Sequence, residues 1–322
     1  MTAPPPLTDS APAPAAADEA PTNPDRWPAD LGALRAELDR IDDAVHALLV
    51  RRAGLIAAVA ATKPAGGSGL RPGRQAAILR RLIARDGGAL PSQGLVRIWT
   101  ELLAATTAMQ APFIVAVCDP APGATYVQVA REQFGALTPL RAYGSPAQAI
   151  AELTAGRAAV AVLPLPSEAE PARDAWWTAL MRRDPARLHI VAGLPLWARR
   201  PEGAPDAPAF VLATIPPDPS GEDRALIGLE LAPEISRARL AASLAAAGFT
   251  QPAATPGGTI PGCAIPGGMI LRREPGEAAA LALIEVAGFV AEDDARLAAI
   301  EGALRPPAVL GCYAVPIEGP RS

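Results

Sequence analysis

An apolar stripe with a helical period constrains this chain more than any other feature. Leu34, Leu38, Ile41, Val45, Leu48, Leu55 and Val59 follow a 4-3-4-3 spacing, and the missing seam position, 52, is an arginine. Such a pattern predicts one long amphipathic helix from about residue 31 to 62. At 1.5 Å per residue it would run roughly 48 Å. That is more seam than one small helical domain can cover alone, so a second chain is expected against it in an intertwined dimer.

Two further helices are expected in the same segment. A glycine-rich loop, 64–69, ends the first. The second opens near Pro72 and carries Ile78, Leu79, Leu82 and Ile83. The third opens at Pro91-Ser92 with Leu95, Trp99, Leu102, Leu103, Thr106 and Gln110 on one stripe. Gly and Pro mark the breaks between them.

Polar residues stand on faces that should be apolar. A guanidinium at the seam position Arg52 needs an anionic partner, because burying it alone is costly. Lys63 lies eleven residues further on and nearly on the same face, and Arg74 begins the second helix. Thr106 and Gln110 continue the third stripe, although Thr106 can also satisfy itself on the carbonyl one turn back. Residues 31–110 hold eleven Arg and Lys against six Asp and Glu. Arg52, Lys63, Arg74 and Gln110 together describe a pocket for a small polyanion, most naturally a dicarboxylate. Arg35 sits seventeen residues before Arg52, about 25 Å along the helix, and reaches such a pocket only from a second, antiparallel chain. Arg40, Arg51, Arg80 and Arg81 are expected in solvent.

Composition narrows the classes. Net charge is −4, which gives no electrostatic footprint for nucleic acid. Cys118, Cys263 and Cys312 are odd in number and lack metal spacing, so neither a disulfide framework nor a zinc site is expected. No uninterrupted apolar run has the length to cross a bilayer. The first residues lack the basic and apolar regions of a signal peptide. The expectation is a cytoplasmic protein without membrane association. Of 29 basic residues a single one, Lys63, is lysine, which draws notice to a position where a compact ammonium differs from a planar fork.

The string LRAELDRIDDAVHALLVRRAGLIAAVAATK, followed by RPGRQAAILRRL and IWTELLAATTAMQ, resembles the all-helical class of chorismate mutase. That resemblance implies an all-α three-helix domain over 29–111; residues 1–28 before it, rich in Pro, Ala, Asp and Thr, read by composition as a disordered leader. It implies that Arg52 and Arg35 of the partner subunit bind the substrate carboxylates, and that Arg74 completes the grip. Lys63 and Gln110 would hydrogen-bond the ether oxygen, and Thr106 takes a place where the family often has serine. Where relatives carry a glutamate for the substrate hydroxyl, this chain has Gln75, which can still hydrogen-bond a hydroxyl. The implied reaction is the pericyclic rearrangement of chorismate to prephenate in aromatic amino acid biosynthesis, with no cofactor and no metal. The same fold also serves isochorismate pyruvate-lyase chemistry.

The rest reads as alternating strands and helices. Residues 112–218 look like one lobe of a prephenate dehydratase, an α/β unit about 80 residues too short. The Thr-Arg-Phe motif of that family corresponds here to Pro208-Ala209-Phe210, so no dehydratase activity is expected. Residues 219–316 read as β-α-β-β-α-β, with DDARLAAIEGAL as the second helix and AVLGCY as the last strand. That order resembles the ACT regulatory domain, and 317–322 is a tail. Cys312 and Tyr313 are expected to be structural. Two other functions compete with a mutase alone: a bifunctional mutase and dehydratase, and an inactive subunit that only binds a ligand or a partner enzyme.

Overall fold

The computed structural model describes residues 30–62, 69–85, 90–121, 123, 125–171, 174–182, 187–198, 202–205, 207–250, 265, 268–273 and 278–318. The leader, Lys63 and Cys263 lie outside the described residues. The chain divides into two compact units, Met1–Gly54 and Leu55–Ser322.

Helix α1 runs Leu31–Ala61 as one element. The Asp30 carboxylate caps its start by accepting the Ala33 amide at 2.9 Å. At its end the Thr62 hydroxyl donates to the Val59 carbonyl at 2.8 Å. None of its residues is buried, and the seam leucines Leu38, Leu48 and Leu55 are 60, 63 and 62% exposed. By length and composition α1 could also cross a membrane. That qualifies the expectation drawn from uninterrupted runs, since the stretch concerned, 44–61, carries Arg51 and Arg52 at its middle.

Helices α2 (Pro72–Ile83) and α3 (Ser92–Ala108) follow, each opening at a proline as the sequence predicts. Then come β1 (Val115–Cys118), α4 (Thr125–Phe134), β2 (Leu140–Tyr143), α5 (Pro146–Thr154), β3 (Val160–Pro164), the single turn α6 (Trp177–Leu180), β4 (His189–Leu194) and β5 (Ala209–Ala213). The last stretch holds β6 (Asp223–Leu231), α7 (Arg237–Ala246), β7 (Met269–Arg272), β8 (Ala280–Ala287) and β9 (Ala308–Ala314). The helix expected over DDARLAAIEGAL is a 3-10 segment limited to Ala295–Ala299. Gly302, at a φ of +84°, turns the chain just beyond it, and Pro306-Pro307 prevents a longer helix.

Among the described residues nine strands form one sheet in the order β2-β1-β3-β5-β4-β9-β6-β8-β7. The half before β9 mixes parallel and antiparallel pairs, whereas β9, β6, β8 and β7 are antiparallel. The halves meet where β4 pairs in parallel with β9 at Ile190 and Gly311. Only glycine allows this approach: a Cβ on residue 311 would lie 2.0 Å from the Ile190 carbonyl oxygen. Alternation along the strands sends side chains to opposite faces. One apolar cluster, including Cys118, Leu163, Trp177, Ile190, Phe210, Leu226 and Tyr313, spans both halves. Two further clusters lie under α4 and α7.

One buried charge sits inside this core. Glu285 on β8 is fully buried. Its Oε1 accepts from Arg224 Nη1 at 3.0 Å and from the Tyr313 hydroxyl at 2.7 Å, and its Oε2 accepts the Ile265 amide at 3.0 Å. Burial pushes the carboxyl above the usual range, while Tyr313 and Arg224 pull it back. Three donors to one carboxylate repay much of its desolvation and fix β6, β8 and β9 to one another.

Candidate functional site around the three N-terminal helices

The described residues nominated by the sequence fall on α1, α2 and α3 or directly beyond α3. Arg35 and Arg52 are on α1, Arg35 exposed and Arg52 half-buried. Arg74 and Gln75 open α2, Thr106 is in α3, and Gln110 lies just past its end. Lys63 lies outside the described residues.

At the end of α3 the polar side chains are held locally. Thr106 is buried, and its hydroxyl lies 2.9 Å from the Leu102 carbonyl and 3.1 Å from that of Leu103. The back-bond that the sequence allows for a threonine therefore forms. Gln110 Nε2 donates to the Thr106 carbonyl at 3.1 Å. Its side chain also packs on Gly69, where a Cβ would come within 2.7 Å of Nε2. Gln110, Thr106 and Gly69 thus share one neighbourhood at the end of α3.

Gln75 is turned elsewhere. Its Oε1 accepts from Gln133 Nε2 of α4 at 3.2 Å. Together with Leu70, Leu103 and Phe113 it lines a gap of about 20 Å³ against α4. A larger cavity of about 250 Å³, between α2, α3, α4 and Pro195–Trp197, contains none of the nominated residues.

Arg74 has an exposed side chain, but its backbone is tied down. The Asp218 carboxylate accepts the Gly73 amide (3.0 Å), the Arg74 amide (3.0 Å) and Arg71 Nε (3.1 Å). Sequence reasoning missed Asp218, which is 144 residues from Arg74 and sits in a proline-rich run. It also misplaced Arg80. Rather than standing in solvent, Arg80 donates from Nη1 to the Ser220 carbonyl (3.2 Å) and hydroxyl (3.0 Å). From Nη2 it donates to the Glu222 carbonyl (3.1 Å) and the Val315 carbonyl (2.7 Å). The reason is its direction on α2: it faces the start of β6 and the end of β9, where the carbonyls of Ser220, Glu222 and Val315 converge on its guanidinium.

Neither thiol among the described residues offers a nucleophile. Burial pushes both Cys118 and Cys312 up to about 11, so each is a thiol at neutral pH and both are buried. Cys312 serves as a core side chain in the strand it closes, with its Sγ 3.4 Å from the Val290 carbonyl.

A three-helix segment with an arginine on the seam of its first helix and polar residues at the end of the third is now in place. Residues 34–111 match the family model described as chorismate mutase type II. The helical segment is chorismate-mutase-like. The match begins in the first turn of α1 and ends just past α3, so it takes in all seven nominated residues. No curated protein matches the sequence. Three solved structures align over 63% of the chain. One is described as GqqA, a novel type of quorum quenching acylases (TM-score 0.44, 17% identity, 95% of that chain covered). Another is prephenate dehydratase from Streptococcus mutans (0.41, 14%, 98%). The third is prephenate dehydratase in complex with L-Phe from Arthrobacter aurescens (0.40, 12%, 90%).

Proposed function

We propose that the chain is a chorismate mutase, working as a homodimer through α1, and that its α/β region is not a second catalytic centre. The observation that carries this reading is the family match over 34–111, which coincides with α1, α2 and α3. Chorismate has two carboxylates and an ether oxygen that gains negative charge as the C–O bond lengthens. Arg52, Arg74 and Arg35 of the partner subunit bind the carboxylates and hold the folded conformer in which the reacting carbons are close. Lys63 and Gln110 donate to the ether oxygen, and a fixed ammonium there favours the transition state over the ground state. Thr106 supports this end of the pocket, and Gln75 is assigned to the substrate hydroxyl. No proton is transferred and no cofactor enters.

The exposed seam of α1 supports the dimer. Contiguous apolar surface of this kind marks an interaction face. A membrane span is disfavoured, because two central arginines would each cost about 2.5–3.5 kcal/mol on insertion scales. The protein is assigned to the cytoplasm on the same grounds. The dehydratase reading is set aside because Ala209 and Phe210 are fully buried in β5 and neither has a hydroxyl or a charge. Phe210 instead packs its ring on Trp176 and Tyr313. The ACT-like reading of 219–316 rests on its β-α-β-β order and its strand order β9-β6-β8-β7.

One observation favours a second reading, an inactive binding subunit: the Gln75 amide is engaged by Gln133. A single assay separates the two. The purified chain should consume chorismate, with Lys63→Ala slower by about 10²–10³ in kcat, the range for removing one donor at a developing oxyanion. Equal rates for both proteins would reject the assignment of Lys63, and no consumption by the wild type would leave the binding subunit.

A further inference from the structure

Helix α2 lacks a cap of its own. Its N-cap residue is Arg71, whose side chain makes no capping bond, and the next residue is Pro72. An N-cap normally supplies a short side-chain oxygen to the amides two and three residues on. Here Asp218 supplies both oxygens, Oδ1 to the Gly73 amide and Oδ2 to the Arg74 amide, each at 3.0 Å. Gly73 makes room for it: a Cβ there would lie 2.0 Å from the Asp218 carbonyl oxygen. The carboxylate also receives Arg71 Nε at 3.1 Å and is only 12% exposed, against 57% for Arg71. Two turns further along the same face of α2, Arg80 fastens the helix to Ser220, Glu222 and Val315.

We infer that Asp218 is a positioning residue for substrate binding: it fixes the backbone from which Arg74 extends and occupies the neighbouring Arg71. The inference rests on the mutase reading of Arg74. Two physical effects follow from one carboxylate. The Arg74 amide is tethered while its guanidinium is left exposed, so the side chain starts from a fixed base. The Arg71 guanidinium, three residues earlier, has an anion of its own and does not compete for the substrate's. The α/β region thereby contributes to catalysis by the helical segment without touching substrate.

The test uses the full-length protein and initial rates over a range of chorismate concentrations. Asp218→Ala and Gly73→Ala reach the same contact from opposite sides, one by removing the carboxylate and one by displacing it. Both are expected to raise KM about tenfold, the equivalent of losing one cap, with kcat changed less than about twofold. Asp218→Asn, which keeps one acceptor, should fall between them and wild type. In an Arg74→Ala background, Asp218→Ala should add little, because residues acting through one another are not additive. A KM unchanged in folded Asp218→Ala, Asp218→Asn and Gly73→Ala overturns the inference, as does an undiminished effect in the Arg74→Ala background. An active wild type with either result removes only this inference, whereas a wild type that leaves chorismate intact removes the mutase reading with it.

Discussion

Arg80 illustrates what a single residue's sequence context conceals. Next to Arg81 on a charged helix face it reads as solvated, yet its guanidinium satisfies three backbone carbonyls and one hydroxyl. Replacing it with Met keeps much of the stem and removes those four hydrogen bonds. Arg80→Met should destabilise the protein by about 3 kcal/mol, measured as the shift in denaturant midpoint at constant slope. Arg80→Lys should recover little of this, since one ammonium cannot span acceptors that the planar fork bridges. The partners of Arg80 and Asp218 were illegible because they are long-range. Carbonyls carry no sequence signature, and an aspartate among prolines reads as turn chemistry. Thr106 was legible because its partner is one turn away, where helix geometry fixes the distance.

At the scale of elements, periodicity carried most of the reading. The seam from Leu34 to Val59 predicted a helix over about 31–62, and α1 spans Leu31–Ala61. Proline at the start of α2 and α3, and of α5, placed their first turns. The 3-10 segment at Ala295–Ala299 escaped because its composition is helical while Gly302 and Pro306-Pro307 act from outside it. The unpartnered seam of α1 carries the next prediction. Leu48 is 63% exposed in the single chain, and a symmetric dimer would bury it twice. Leu48→Glu should therefore raise the dimer dissociation constant by about a hundredfold, read by sedimentation as a concentration-dependent shift to monomer. An unchanged dimer would mean that another surface holds the subunits together.

For the whole molecule, the sequence separates two C-terminal modules and the structure joins them in one sheet. The joint depends on the pairing of β4 with β9 around Gly311, a contact between strands some 120 residues apart that no local pattern encodes. Helix α2 is fastened to the end of this sheet through Asp218 and Arg80. The candidate site has a similar non-local character. Gln110 and Gly69 are brought together within one chain, whereas Arg35 contributes only if a second chain provides it. Complementation tests this sharing most directly. Arg35→Ala and Lys63→Ala chains, each nearly inactive alone, are co-expressed and purified together. A heterodimer of the two regains one intact site, so a statistical mixture should show about a quarter of wild-type chorismate mutase activity. Activity no greater than the sum of the two variants alone would contradict a site assembled from two subunits.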